Sequence, residues 1–207
     1  MSNEMNIAYL LSERLYLNIT NRCTNRCLFC IRDTSDGLGV ELWLPREPDA
    51  AEVIEAIRSA PGYPNYPEVV FCGYGEPLLR PDVVTDVARF LKEQGLKIRI
   101  NTNGQANLIH GRNVVPEFAP YVDSISISLN AHDGPVYNEL CRPAGGEGAY
   151  QALLEFTEEC RRLIPNVVLT VVNWPGVDLE QCRLKADSLG FGFRVRSLTG
   201  KFDSLAR

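Results

Sequence analysis

What this chain has little of narrows the reading first. It contains no run of about 18 or more apolar residues, so no membrane-spanning helix is expected. It has only two histidines, His110 and His132, so a histidine-rich metal site has almost nothing to draw on. Positive charge is in deficit: 21 Lys and Arg face 26 Asp and Glu, and the formal net charge of -5 lacks the basic balance of a general nucleic-acid binder. A local basic groove stays open. Residues 1–8 are polar and lack the apolar core of a signal peptide, which places the protein in the cytoplasm, where thiols stay reduced. No linker, low-complexity tract or clear internal repeat interrupts the 207 residues, enough for one domain. Against these absences, seven cysteines are many. In a reducing compartment they read as metal ligands, reactive thiols or small core residues rather than a disulfide framework.

Six strand-like runs are expected, at residues 14–20, 68–72, 97–101, 123–130, 166–172 and 193–198. Helix-like stretches fall at 49–60, at 81–94 and at 178–189. Another carries Tyr150, Leu153, Leu154, Thr157 and Cys160 at helical spacing, and a weaker one lies near 113–120. Strand alternating with helix implies parallel pairing and an α/β fold, either a doubly wound open sheet or a partial barrel. A parallel sheet covered by helices on both faces should be apolar on both. Here four strands have one polar face. Ser124, Ser126, Ser128 and Asn130 alternate with Ile125, Ile127 and Leu129, and Arg194 and Arg196 alternate with Phe193 and Val195. The expectation is therefore a single-domain partial (β/α)6 barrel with a parallel six-stranded sheet and a polar lumen. Active-site residues belong at the C-terminal strand ends.

After the first strand come Cys23, Cys27 and Cys30, three thiols within eight residues and spaced C-x3-C-x2-C, with Phe29 before the last. A structural zinc site takes four ligands, usually as two separated pairs, and no fourth lies close in sequence. Three thiolates suit a cubane iron–sulfur cluster with one iron left open. Zinc remains the alternative.

This motif resembles the signature of the radical S-adenosylmethionine (SAM) superfamily, and other strand ends match it. Cys72-Gly73-Tyr74-Gly75-Glu76-Pro77 resembles the family's Gly-Gly-Glu-Pro segment, with Tyr74 a departure from its usual small residue. Asn101-Thr102-Asn103-Gly104 resembles its Thr-Asn-Gly segment. The resemblance implies a [4Fe-4S] cluster on Cys23, Cys27 and Cys30, with SAM chelated to the open iron. It further implies reductive cleavage to a 5′-deoxyadenosyl radical that abstracts hydrogen from a substrate. Phe29, Gly73, Gly75, Glu76, Asn101, Asn103, Ser128, Asn130, Arg142 and Val172 are the expected SAM neighbours. Glu76 is suited to SAM's ammonium group, and Arg142 to its carboxylate. Among the remaining cysteines, Cys160 and Cys182 read as core, and Cys72 reads more as core than as reactive. Cys141 is either core or a reactive thiol near the cluster, the one catalytic candidate. The wording of the sequence is most similar to the TatD-associated radical SAM proteins.

The resemblance also implies an electron donor such as flavodoxin or ferredoxin. The substrate is open: a glycyl-radical enzyme to be activated, a peptide or RNA to be modified, or a small anionic heterocycle. Arg194 and Arg196, on one face of the last strand, either bind SAM or an anionic substrate or, as edge-strand residues, face solvent; turned inward they favour an anion. The few residues after the sixth strand suggest that a substrate or partner closes the lumen. The rival from another class is a non-catalytic zinc or iron–sulfur module for a protein partner.

Overall fold

A computed structural model describes residues 5–34 and 37–198. Seven strands form one sheet in strictly sequential order. They are β1 (Ala8–Leu11), β2 (Arg14–Leu17), β3 (Val69–Phe71), β4 (Ile98–Thr102), β5 (Ser124–Ser128), β6 (Asn166–Val172) and β7 (Gly192–Arg196). From β2 to β7 all pairs are parallel. Each crossover places its helices on the same side, which gives the expected partial barrel; a doubly wound sheet would reverse its order midway.

The count of six strands is corrected to seven. Strand β1 pairs antiparallel with β2 through a two-residue turn in which Ser12 takes φ 55. A non-glycine in the left-handed region carries none of the usual turn marks, so the hairpin left no trace in the residue pattern.

Each of the parallel strands β2 to β5 sends alternate apolar residues outward. Leu15, Leu17, Phe71, Ile98, Ile100, Ile125 and Ile127 are fully buried against the helices. The helices return matching faces: Val53 and Ile57 from α1 (Ala50–Ser59), and Val84, Val87 and Leu91 from α2 (Pro81–Glu93). Short helices α3 (Ala106–His110) and α4 (Val115–Phe118) follow β4. Helix α6 (Gly148–Leu163) buries Leu153, Phe156 and Cys160, and α7 (Leu179–Ser188) buries Cys182 and Ala186. Burying a leucine- or phenylalanine-sized side chain stabilises by roughly 1.5–3 kcal/mol, so this outer shell holds the barrel together.

Helix α5 (Gly134–Cys141) was not anticipated between β5 and α6. Asp133 caps it by accepting from the Val136 N–H, and Pro135 sits in its first turn. This corrects Cys141 from a strand-end loop to the last residue of a helix, where it is fully buried.

Candidate active site

The three cysteines sit on the loop after β2, at the C-terminal mouth of the barrel, and all three are half-buried. Neighbouring backbone fixes the loop on two sides. Toward α5, Arg26 N–H donates to the Cys141 carbonyl (2.9 Å), Leu28 N–H to Leu140 (2.9 Å), and Ala144 N–H to Thr24 (2.7 Å). Toward β3, Glu76 N–H donates to the Arg22 carbonyl at 2.8 Å. That approach demands glycine. A Cβ on Gly75 would lie 2.3 Å from the Thr20 oxygen and 2.5 Å from the Arg22 oxygen, and one on Gly73 would lie 2.1 Å from Asn18 Oδ1.

Side chains complete the support. Asn25, nearly fully buried within the cysteine loop, donates to the Tyr137 hydroxyl (3.0 Å) and accepts from Gln105 Nε2 (2.8 Å). Asn103 Nδ2 reaches Thr24 Oγ1 at 2.9 Å and Cys23 Sγ at 3.9 Å. Arg32 Nε donates to Cys30 Sγ at 3.3 Å, and the Asn25 N–H to Cys23 Sγ at 3.4 Å. Asn18 and Asn21 tie the loop's base to the Leu42 and Leu44 carbonyls, both at 2.7 Å. Glu47 accepts from Thr20 and pairs with Arg22 at 2.7 Å.

Burial sets the protonation of these groups. It pushes the Cys23 thiol up to about 12, helped by the Glu76 carboxylate. Cys27 is raised chiefly by a hydrogen bond with Cys141, then by burial. Neutral thiols tolerate such a site; a metal centre replaces their protons on binding.

Glu76 differs from its expected role. Desolvation raises its carboxyl from 4.5 to about 7. Its Oε1 accepts from Leu78 N–H (3.0 Å) and Thr102 Oγ1 (2.8 Å), and its Oε2 from Asn103 N–H (2.7 Å). Three of about four acceptor positions are therefore spent joining the β3 and β4 loops, and about one is left for a ligand.

The lumen face carries the expected polar rows. Arg99 bonds Glu68 (3.0 Å) and Asn101 (2.7 Å); Arg194 bonds Ser126 (3.1 Å); Arg196 bonds Ser128 (3.2 Å) and Asn130 (3.4 Å). Asn130 Nδ2 also reaches Cys141 Sγ at 3.6 Å, so the lumen row runs up to the cysteine loop. Cys72, read as core, is half-buried on this face, and Asn101 hydrogen-bonds its thiol. Val172 is buried beside Arg196, its register partner. Phe29 packs against Trp174, just past β6, with ring centroids 5.9 Å apart. Arg142 stands apart from the others: it is exposed, and it caps α5 at φ 45.

Cys160 and Cys182 are fully buried, as expected of core residues. Sequence reasoning missed Asn25, Tyr137, Gln105, Trp174 and Glu47. Only Tyr137 had an available signal, the Asp133 and Pro135 helix start. A surface cavity lined by Asn107, Leu108, Asn113, Glu155 and Glu159 lies between α3 and α6 and contains none of the expected site residues.

Three thiols on one short loop are the donor set that a cubane with one open iron takes. Among the described residues, no three His, Cys, Asp or Glu side chains are posed to hold one metal ion. A single tetrahedral zinc would draw its thiolates to about 4 Å of one another. A cubane puts each thiolate on a different iron and needs only three thiols around a shared space. All three thiols lie on one short loop, where Arg32 bonds Cys30 Sγ and Asn103 Nδ2 lies 3.9 Å from Cys23 Sγ.

Comparison with known proteins gives the family. Residues 17–186 match the family model described as the radical SAM superfamily. The cofactor-modifying protein of the tungsten-containing aldehyde ferredoxin oxidoreductase from Pyrococcus furiosus is 32% identical over 94 residues. That alignment covers 44% of this chain and 23% of that protein. Among solved structures, methylornithine synthase PylB superposes with a TM-score of 0.64 at 16% identity, over 90% of this chain and 53% of that one. TsrM from Kitasatospora setae, a radical SAM methyltransferase solved with cobalamin and a [4Fe-4S] cluster, has a TM-score of 0.57 at 13% identity, over 88% and 36% of the two chains. The chain thus spans under a quarter of the curated relative's length and about half of the synthase's. The structural likenesses speak for the fold; the match over residues 17–186 speaks for the family. The chain belongs to the radical SAM superfamily, enzymes whose cofactors are a [4Fe-4S] cluster and S-adenosylmethionine.

Proposed function

We propose that Cys23, Cys27 and Cys30 hold the cluster and that the protein is a radical-generating enzyme that abstracts hydrogen from a substrate bound in the lumen. When bound, the reduced cluster and SAM supply a 5′-deoxyadenosyl radical. The observation that carries this is the triply anchored loop, with its three half-buried thiols at the mouth of a polar barrel. The chain's own residues orient and exclude water. Gly73 and Gly75 let the β3 loop close against the cysteine loop. Glu76 has about one acceptor position left for SAM's ammonium group, and Asn103 lies beside Cys23. Ser128, Asn130 and Asn101 line the lumen at hydrogen-bonding depth. Phe29 and Val172 form apolar walls near the β6 end, and Arg142 lies beside the loop at the α5 cap.

The subgroup reading, TatD-associated radical SAM proteins, rests on the wording of the sequence. Reduction needs a donor of the flavodoxin or ferredoxin kind, and the cytoplasm suits its redox state. No helix among the described residues is long and apolar enough to cross a membrane. The test is anaerobic reconstitution with iron, sulfide and reductant, followed by measurement of 5′-deoxyadenosine. Cys27→Ala should abolish product and Cys160→Ala should retain it. A fully loaded parent that makes no 5′-deoxyadenosine would refute the proposal.

A further inference from the structure

Among the described residues, the lumen holds more positive charge than its carboxylates neutralise. Arg99, at the lower end, is matched: Glu68 lies 3.0 Å from it and 3.3 Å from Arg14. Glu76, another carboxylate nearby, is turned toward the end of β4, where Thr102 and Asn103 donate to it. Among the described residues, Arg194 and Arg196 meet only uncharged acceptors. These are Ser126 Oγ at 3.1 Å for Arg194, and Ser128 Oγ at 3.2 Å and Asn130 Oδ1 at 3.4 Å for Arg196. In both, only Nη2 is engaged, and Arg196 Nε is withdrawn from solvent with no partner. A guanidinium carries five N–H donors in a fixed fork, so most of this capacity is unspent. Desolvation comes first in holding both groups below the ordinary arginine value, with repulsion from Arg99 added at Arg194 and from Arg194 at Arg196. Arg194 is exposed and Arg196 half-buried; the orphaned Arg196 donor is the costly group, and an oxyanion reached by both guanidinium groups relieves it.

The two arginines are two residues apart on one face of β7, so their Cα atoms stand roughly 6.6 Å apart, a span one oxyanion can bridge. Arg196 is level with Val172 at the strand tops, and Arg194 is level with Thr170, one step deeper. We propose that Arg194 and Arg196, completed by Ser126, Ser128 and Asn130, form an anion subsite that takes a carboxylate or phosphate group of the substrate. Calling that ligand the substrate rests on the radical-enzyme reading; the anion site itself rests on the arginines.

SAM also carries a carboxylate, so the experiment separates the two sources. Reconstituted protein is titrated with inorganic phosphate, and separately with succinate, at constant ionic strength made up with chloride. Thermal stability is read with and without saturating SAM. Phosphate or succinate should raise the melting temperature of the parent, SAM-saturated protein dose-dependently. Arg196→Gln and Arg194→Gln should each weaken that response about tenfold or more, the scale of one charge-assisted hydrogen bond. Arg183→Gln, on the exposed α7 surface, should respond as the parent does. The proposal is overturned by a parent response no greater than that of chloride, by lumen variants that both respond as strongly as the parent, or by SAM abolishing the effect. That last result would assign the arginines to the cofactor. Iron content and 5′-deoxyadenosine are measured on the same samples. An absent anion response with intact cluster and cleavage sinks the subsite alone, whereas an unloaded parent sinks the radical-enzyme reading. Should Arg196→Gln fail to fold, Arg194→Gln, at the more exposed position, still decides.

Discussion

Gly75→Ala probes the contact on which the site depends. The new methyl group would lie 2.3 Å from the Thr20 carbonyl oxygen and 2.5 Å from that of Arg22. Carbon and oxygen rest at about 3.3 Å or more, so the overlap is about 1 Å. Both oxygens are backbone, so no rotamer change removes the clash. The β3 loop must retreat by a comparable distance, which stretches the 2.8 Å bond from Glu76 N–H to the Arg22 carbonyl beyond hydrogen-bond range. Overpacking costs about 1–3 kcal/mol and the lost bond about 1 kcal/mol, so about 2–4 kcal/mol in all. For a chain of this size that lowers the melting temperature by roughly 5–15 °C. Because the retreat carries Glu76 away from the cysteine loop, iron incorporation should fall with it. The assay is thermal circular dichroism, together with iron per chain after anaerobic reconstitution. Gly148→Ala is the control: it opens α6, nothing lies within 4 Å of its Cβ position, and its stability should be unchanged or slightly higher. If Gly75→Ala melts within about 2 °C of the parent and loads full iron, the close-approach argument is wrong.

Two further perturbations follow from the same geometry. Burial lifts the Glu76 carboxyl from 4.5 to about 7, so between those values the unfolded chain is ionised while the folded chain keeps its proton. The folded state is favoured most below pH 4.5, and that advantage, roughly 3 kcal/mol, is lost as pH rises to about 7. Glu76→Gln cannot titrate. Urea unfolding at pH 5 and pH 8 should show the parent losing more stability than the variant, and parallel losses would refute the desolvation argument. Arg32 donates to Cys30 Sγ at 3.3 Å and brings a positive charge to the loop. A donor to a ligand sulfur favours the more negative, reduced cluster. Arg32→Ala should therefore shift the cluster midpoint potential to more negative values in an anaerobic redox titration; a positive shift would mean that Arg32 does not act on the sulfur.

The barrel was legible because its physics is local. Period-2 alternation in residues such as Ile125 to Leu129, with serines between, marks strands with one apolar face, and spacing alone gathered Cys23, Cys27 and Cys30. Features that depend on distant pairs were not legible. Asn25 reads as a loop asparagine until Tyr137, 112 positions away, supplies its partner. Glu76 reads as a free ligand-binding carboxylate until Thr102 and Asn103 claim its oxygens. Strand β1 is short, and its turn at Ser12 lacks the residues that usually announce one. Arg194 and Arg196 were visible as a pair on one face of the last strand, open to lumen or solvent, and only the fold shows that among the described residues they bond Ser126, Ser128 and Asn130 rather than a carboxylate.

The anchoring of the cysteine loop also bears on how the site is assembled. In a small zinc module the metal's binding energy is the folding energy, because nothing else orders the ligands. Here the ligand loop is held by four backbone bonds from outside it, to α5 and to the β3 loop, and by the buried Asn25, Gln105 and Tyr137 set. None of those contacts uses a cysteine thiol. Ordering eight residues costs on the order of 10 kcal/mol of backbone entropy. Contacts from outside the loop offset part of that cost, so under the proposed ligation the insertion free energy of the cluster would be left to set affinity and potential rather than to fold the chain. A scaffold of this kind keeps the mouth of the barrel in register with its lumen, which the proposed path from the cysteine loop to Arg194 and Arg196 requires.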